Sequence, residues 1–155
     1  MTKNARELSD IEELRELALR YAQCVDGRDG PALAELFIED GVIDGSGYFT
    51  KGRKGVAAIP AFLDTKYEAT FHAVHNHIVR LAGDVAEGEV YATSHHLRKE
   101  ADGQLVDYVM IMRYHDEYAR QADGWRFAHR KIVLEWTETR TAAPPAVQPE
   151  RRRAS

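Results

Sequence analysis

The sequence predicts an α+β domain in which a few N-terminal helices are followed by a long-stranded, curved antiparallel sheet. Helical apolar spacing is confined to the region before Lys66, and from Phe71 onward the hydrophobic period changes to two. Turn-like tripeptides (Ala82-Gly83-Asp84, Ala101-Asp102-Gly103, Ala122-Asp123-Gly124) then separate four strand-like runs. Helices grouped ahead of strands argue against alternating βαβ units.

Ser9 followed by Glu12 reads as a capping box, and Ile11, Leu14, Ala18, Tyr21, Ala22 and Val25 follow helical spacing. The pattern predicts a first helix from Asp10 to Val25, ended by Gly27. Asp29-Gly30-Pro31 opens a short second helix through Leu33, Leu36 and Phe37, and Glu39-Asp40-Gly41 reads as a turn. Val42–Asp44 and Tyr48–Thr50, on either side of Gly45-Ser46-Gly47, predict a hairpin. A third helix is expected from Val56 to Lys66, limited or kinked by Pro60. Phe71–Leu81, Glu87–Arg98, Leu105–Tyr118 and Trp125–Glu138 are the strands. They exceed the usual length of about 5–6 residues. Such a sheet is expected to curve around the helices as a cone with room for a ligand.

Net charge is −4 over 155 residues, yet the segment from Thr139 carries four arginines against Glu150, leaving the body with 17 basic and 24 acidic side chains. That sign opposes phosphate neutralisation, so no nucleic-acid partner is expected. Residues 8–138 are read as one domain, and 139–155, rich in Pro and Arg, as a disordered tail. A single cysteine, Cys24, excludes a disulfide framework or a multi-cysteine metal site. A polar N-terminus and the lack of a long apolar run lead us to expect a cytoplasmic protein with no membrane partner.

Five of the seven histidines fall within His72–His96. Simple alternation places His72, Val74, Asn76 and Ile78 on one sheet face and His75 and His77 on the other, unless a bulge intervenes. Val90, Ala92, Ser94 and His96 share a face, as do Met110, Met112 and Tyr114. Three roles suit the histidines: polar strand residues at the sheet surface or an oligomer interface, metal ligands through His75-x-His77, or one acid/base histidine oriented by a carboxylate in an apolar cavity. Asp26, at the end of the first helix, is the natural carboxylate, though its position equally suits a solvated helix end. Tyr21, one turn earlier, suits a hydrogen-bond donor to substrate or a packed core tyrosine.

Tyr21-Ala-Gln-Cys-Val-Asp26, Leu33-Ala-Glu-Leu-Phe37-Ile-Glu-Asp40-Gly41-Val42, Phe71-His72-Ala-Val-His-Asn76-His, Gly83-Asp84-Val-Ala86-Glu-Gly88 and Asp123-Gly124-Trp125-Arg-Phe127 occur in that order. From Leu8 to Thr137 this pattern resembles the SnoaL-like branch of the nuclear transport factor 2-like superfamily. It is most similar to scytalone dehydratase, hexachlorocyclohexane dehydrochlorinase and bile-acid 7α-dehydratase. The resemblance implies a cystatin-like α+β barrel with a catalytic His72/Asp26 dyad and Tyr21 beside it. It further implies His96 and Arg130 as substrate-binding residues, with Asn76 aligned near the catalytic histidine. Ser94, Met110, Met112 and Tyr114 join these from the strand faces. Met112 and Tyr114 replace polar residues of scytalone dehydratase, which implies a more apolar cavity. Tyr21 stands where the dehydrochlorinase has lysine, which favours loss of water over loss of halide.

The expected function is therefore a lyase, a dehydratase of a hydrophobic cyclic (steroid-, polyketide- or terpenoid-like) hydroxy compound, needing no cofactor and no metal. A double-bond isomerase, a polyketide cyclase and a non-catalytic ligand carrier or oxygenase small subunit remain open. Tyr91, Val109, Ile111, Val133 and Trp136 supply an apolar outer sheet face, which predicts a homodimer or homotrimer.

Overall fold

Asn4, not Ser9, starts the first helix. Its side chain accepts from the Glu7 N–H at 2.9 Å while Glu7 accepts from the Asn4 N–H at 2.8 Å, a reciprocal cap. This computed structural model describes residues 2–144 and 146. Helix α1 spans Ala5–Asp26 and α2 spans Gly30–Glu35, with Asp29 as its N-cap and Pro31 in its first turn. Strands β1 (Phe37–Gly45) and β2 (Tyr48–Lys51) form the expected hairpin. Ser46 and Gly47 both have positive φ (52° and 79°), as a tight primed turn requires. The expected third helix is two: α3 (Arg53–Ala57) and α4 (Ile59–Asp64), because Pro60 opens a new first turn. Strands β3 (Ala69–Ala82), β4 (Val85–Lys99), β5 (Leu105–Gln121) and β6 (Gly124–Thr141) complete the chain.

The sheet is six-stranded in the order β2-β1-β6-β5-β4-β3. β3 to β6 form the expected antiparallel meander, but β1 joins β6 in parallel. Glu39-Asp40-Gly41 is not a turn: the segment continues as strand, and its irregularity is absorbed where pairing jumps from Phe37↔Phe127 to Val42↔His129. β6 extends past Glu138 through 139–141, because β5 begins at Leu105 and still offers Val106, Asp107 and Tyr108 as partners. Of the predicted tail, residue 145 and residues 147–155 lie outside the described residues.

Bulges bend this sheet. Between Val74↔Ala92 and His77↔Val90, β3 contains one more residue than β4. β6 carries extra residues at Glu135 and Ala128 opposite β5. The curled sheet receives the apolar face of α1, and Leu14, Leu17, Tyr21 and Val25 pack with Leu33, Phe37, Val90, Tyr118, Trp125 and Phe127. Each such burial contributes about 1.5–3 kcal/mol. Trp125 fastens the start of α1: its indole N–H donates to Asp10 Oδ1 at 3.1 Å, and Arg120 lies 4.3 Å over its ring. On the outer face Tyr91 and Trp136 are exposed and Ile111 and Val133 half-buried, whereas Val109 is already buried within one chain.

Candidate functional site

The site begins where α1 stops. Gly27 has right-handed φ (−76°), so it is not the left-handed terminator its identity suggests; Arg28 occupies that conformation with φ 61°. The Asp29 N–H reaches back to the Cys24 carbonyl (2.9 Å) and the Arg28 N–H to the Val25 carbonyl (3.3 Å), a Schellman closure. This ending leaves Asp26 as the last residue of α1, facing β3.

Asp26 and His72 meet. The Asp26 carboxylate accepts from the His72 backbone N–H through Oδ2 (2.8 Å) and from the Thr70 hydroxyl through Oδ1 (2.9 Å). The same Oδ1 lies 2.7 Å from His72 Nδ1. Burial pushes the Asp26 carboxyl up, but the His72 ring, its backbone N–H and the Thr70 hydroxyl together outweigh it and hold the group below its ordinary range. An ionised carboxylate only accepts, so His72 carries a hydrogen on Nδ1, and in the neutral imidazole Nε2 keeps its lone pair.

His72 borders a cavity of about 190 Å³. Its polar wall is His72, Ser94 and His96 with the phenols of Tyr21 and Tyr114; Val25, Ile43, Ile59, Phe62, Leu63, Met110, Met112 and Ile132 supply most of the rest. Ser94 is fully buried opposite His72 on the β3–β4 ladder, and its hydroxyl has no hydrogen-bond partner among the described residues. His96 is buried, and burial together with the neighbouring His72 lowers its pKa to about 4. Its Nδ1 lies 3.3 Å from the Tyr108 carbonyl, an acceptor, which places the hydrogen on Nδ1 and leaves Nε2 as an acceptor. Burial raises the phenols of Tyr21 and Tyr114, so both remain donors at neutral pH.

Two expected substrate contacts are not in this cavity. Asn76 falls in the β3 bulge and is exposed; the extra residue reverses the alternation, so His77 turns inward while His75 turns out to Thr93 Oγ1 (2.9 Å). His75 and His77 therefore do not share a face. Among the described residues no group of His, Cys, Asp and Glu is spaced to hold a metal ion. Arg130 is fully buried behind the cavity, not lining it. Its guanidinium makes two bonds to Asp116 (2.8 and 2.7 Å) and lies 4.1–4.3 Å over the rings of Tyr21, Tyr114 and Phe127. Burial opposes its charge, but Asp116 more than compensates and keeps it protonated.

Sequence reasoning missed Tyr67, Thr70 and Arg28. Tyr67 covers His96 with ring centroids 4.7 Å apart and lines the cavity. Thr70 was readable, since alternation from His72 puts it on the same face; Tyr67 lies in a connection and Arg28 beyond a helix end, where no periodicity applies. A second concavity, of about 430 Å³, is lined by exposed charged groups such as Arg80, Glu87, Glu117 and Lys131. It does not include the dyad.

A curled sheet closed by helices, with a histidine–carboxylate pair at an apolar cavity, defines a pocket-bearing α+β barrel protein. The chain belongs to the SnoaL-like domain family, whose model matches residues 6–131. Its fold is similar to that of a nuclear transport factor 2-like protein with a cystatin-like fold from Novosphingobium aromaticivorans (29% identity, 84% of each chain, TM-score 0.68). A Kribbella flavida protein is similar at 24% identity, over 84% of this chain and 94% of that one, with TM-score 0.77. So is the hexachlorocyclohexane dehydrochlorinase LinA-type3 of Novosphingobium barchaimii, at 17% identity over 92% and 96% of the two chains, with TM-score 0.74. No curated protein sequence matches the chain significantly.

Proposed function

We propose that this protein is a cofactor-independent lyase that removes water from a small cyclic hydroxy compound by His72/Asp26 acid–base catalysis. The observation that carries the reading is the 2.7 Å His72–Asp26 contact beside a mostly apolar cavity. His72 Nε2 takes a proton next to a carbonyl or comparable activating group, and Asp26 stabilises the imidazolium that results. The phenols of Tyr21 and Tyr114 donate to the oxyanion that develops, in a site where little water competes. His96 Nε2 and Ser94 orient the substrate hydroxyl. The proton held on His72 then leaves with the departing hydroxide as water, so the reaction closes without a second acid. A dehydrochlorinase of the same fold performs a related elimination on a single ring, which supports elimination over binding alone.

The cavity volume narrows the substrate. Drug-sized ligands occupy pockets of about 300–1,000 Å³, and a dry cavity of about 150 Å³ suffices for benzene. A space of about 190 Å³ favours one or two rings over a steroid skeleton. Incubation with a panel of one- and two-ring hydroxy ketones, read by mass spectrometry, tests the proposal. A product lighter by one water supports it; a product of unchanged mass identifies an isomerase instead, and tight binding without any conversion identifies a carrier.

A further inference from the structure

We propose that Arg28 and Thr70 form a positioning relay that fixes the Asp26 carboxylate and, through it, the orientation of the His72 ring. The proposal rests on the reading of His72 and Asp26 as the working pair. Arg28 Nη1 donates to Thr70 Oγ1 at 2.8 Å, and Thr70 Oγ1 donates to Asp26 Oδ1 at 2.9 Å. A threonine hydroxyl has one hydrogen, so accepting from the guanidinium commits that hydrogen to Asp26. The order Arg28 → Thr70 → Asp26 ← His72 is thus the only one that satisfies every donor. The guanidinium is itself anchored twice more, by Nη1 to the Val25 carbonyl (2.8 Å) and by Nε to Asp64 Oδ1 (3.2 Å).

The backbone points the same way. Arg28 holds φ 61°, a left-handed conformation usually given to glycine, although a glycine stands one residue earlier. The conformation closes the end of α1 through backbone bonds and at the same time carries the guanidinium to Thr70 on β3. The other groups facing Asp26 are His72 and, at longer range, His96 and Tyr114. Thr70 is therefore the neutral link through which a permanent cation polarises a hydroxyl against the carboxylate without cancelling its charge. Neither residue needs to touch substrate.

Imidazole and carboxyl NMR of the full-length protein tests this without any substrate. In the wild type we expect neutral His72 as the Nδ1–H tautomer, with that proton far downfield. Thr70→Val keeps the β-branched shape and the Arg28 contacts to Val25 and Asp64, but removes the link. It should move the downfield proton upfield, admit the Nε2–H tautomer, and raise the midpoint of the Asp26 carboxyl titration by about one pH unit. Thr70→Ser should restore the wild-type spectrum. Arg28→Gly, which suits the left-handed backbone, keeps the Thr70 hydroxyl but no longer commits its hydrogen, so it should shift the spectrum in the same direction by less and carries the test if Thr70→Val fails to fold. A Thr70→Val spectrum identical to wild type overturns the relay while leaving the dyad intact. A wild-type His72 found as the Nε2–H tautomer overturns the dyad reading and the relay with it.

Discussion

Removing Asp116 exposes how much the cavity floor depends on one ion pair. Both Asp116 and Arg130 have fully buried side chains. The carboxylate accepts two guanidinium bonds (2.8 and 2.7 Å) and the Tyr118 hydroxyl (2.9 Å). Asp116→Ala leaves a buried guanidinium without its counter-charge, a loss of about 3–5 kcal/mol. The three rings stacked on Arg130 offset part of this through cation–π attraction, up to about 2 kcal/mol. The expected net loss is about 3 kcal/mol, or a Tm lower by about 10 °C for a domain of this size. Urea and thermal unfolding measure it, and the double substitution Asp116→Leu/Arg130→Met should recover most of the loss because no charge is stranded. An Asp116→Ala protein within about 1 kcal/mol of wild type would refute the assignment of Arg130 as a buried structural cation.

Acid should destabilise the fold through His96. Above pH 6.5 both the folded and unfolded states hold it neutral; as pH falls from 6.5 toward about 4 only the unfolded chain gains the proton, so stability declines across that window. The contribution is on the order of 3 kcal/mol, and unfolding curves of His96→Gln should lack it, while an unchanged pH slope in that variant would contradict the buried neutral imidazole. Tyr21→Phe keeps the edge-on contacts to Tyr114 and Phe127, so it should unfold within a few degrees of wild type yet lose about 10²–10³ in turnover of a confirmed substrate. We also propose that the exposed outer face, with Tyr91 41% and Trp136 56% accessible, joins copies of the chain as a dimer or trimer. Light scattering at micromolar concentration should show that mass, Trp136→Glu should reduce it, and a monomeric wild type would contradict the proposal.

The strands were legible because a half-buried strand writes its faces into the sequence: Val90, Ala92, Ser94 and His96 alternate inward as their spacing predicts. The β3 bulge was not, since an inserted residue has no side-chain signature and only the partner strand reveals it. That one residue sends Asn76 outward and parts His75 from His77. The resemblance puts Arg130 at the substrate, whereas the extra residue at Ala128 sets it opposite Asp116 on β5, where the two form a buried pair. The parallel contact of β1 with β6 joins segments remote along the chain, beyond any local pattern. That Asp26 and His72 should meet follows from the resemblance, and they do; helix periodicity alone leaves Asp26 open between a carboxylate partner and a solvated helix end. Arg28 carried no signal because the glycine that normally marks a helix stop lies one position too early.

Whether His72 Nε2 takes the substrate proton is decided by the turnover of His72→Ala on a substrate converted by the wild type. The variant should be indistinguishable from wild type by circular dichroism, with a rate lower by about 10²–10⁴. A folded His72→Ala protein that still releases water at the wild-type rate would contradict it.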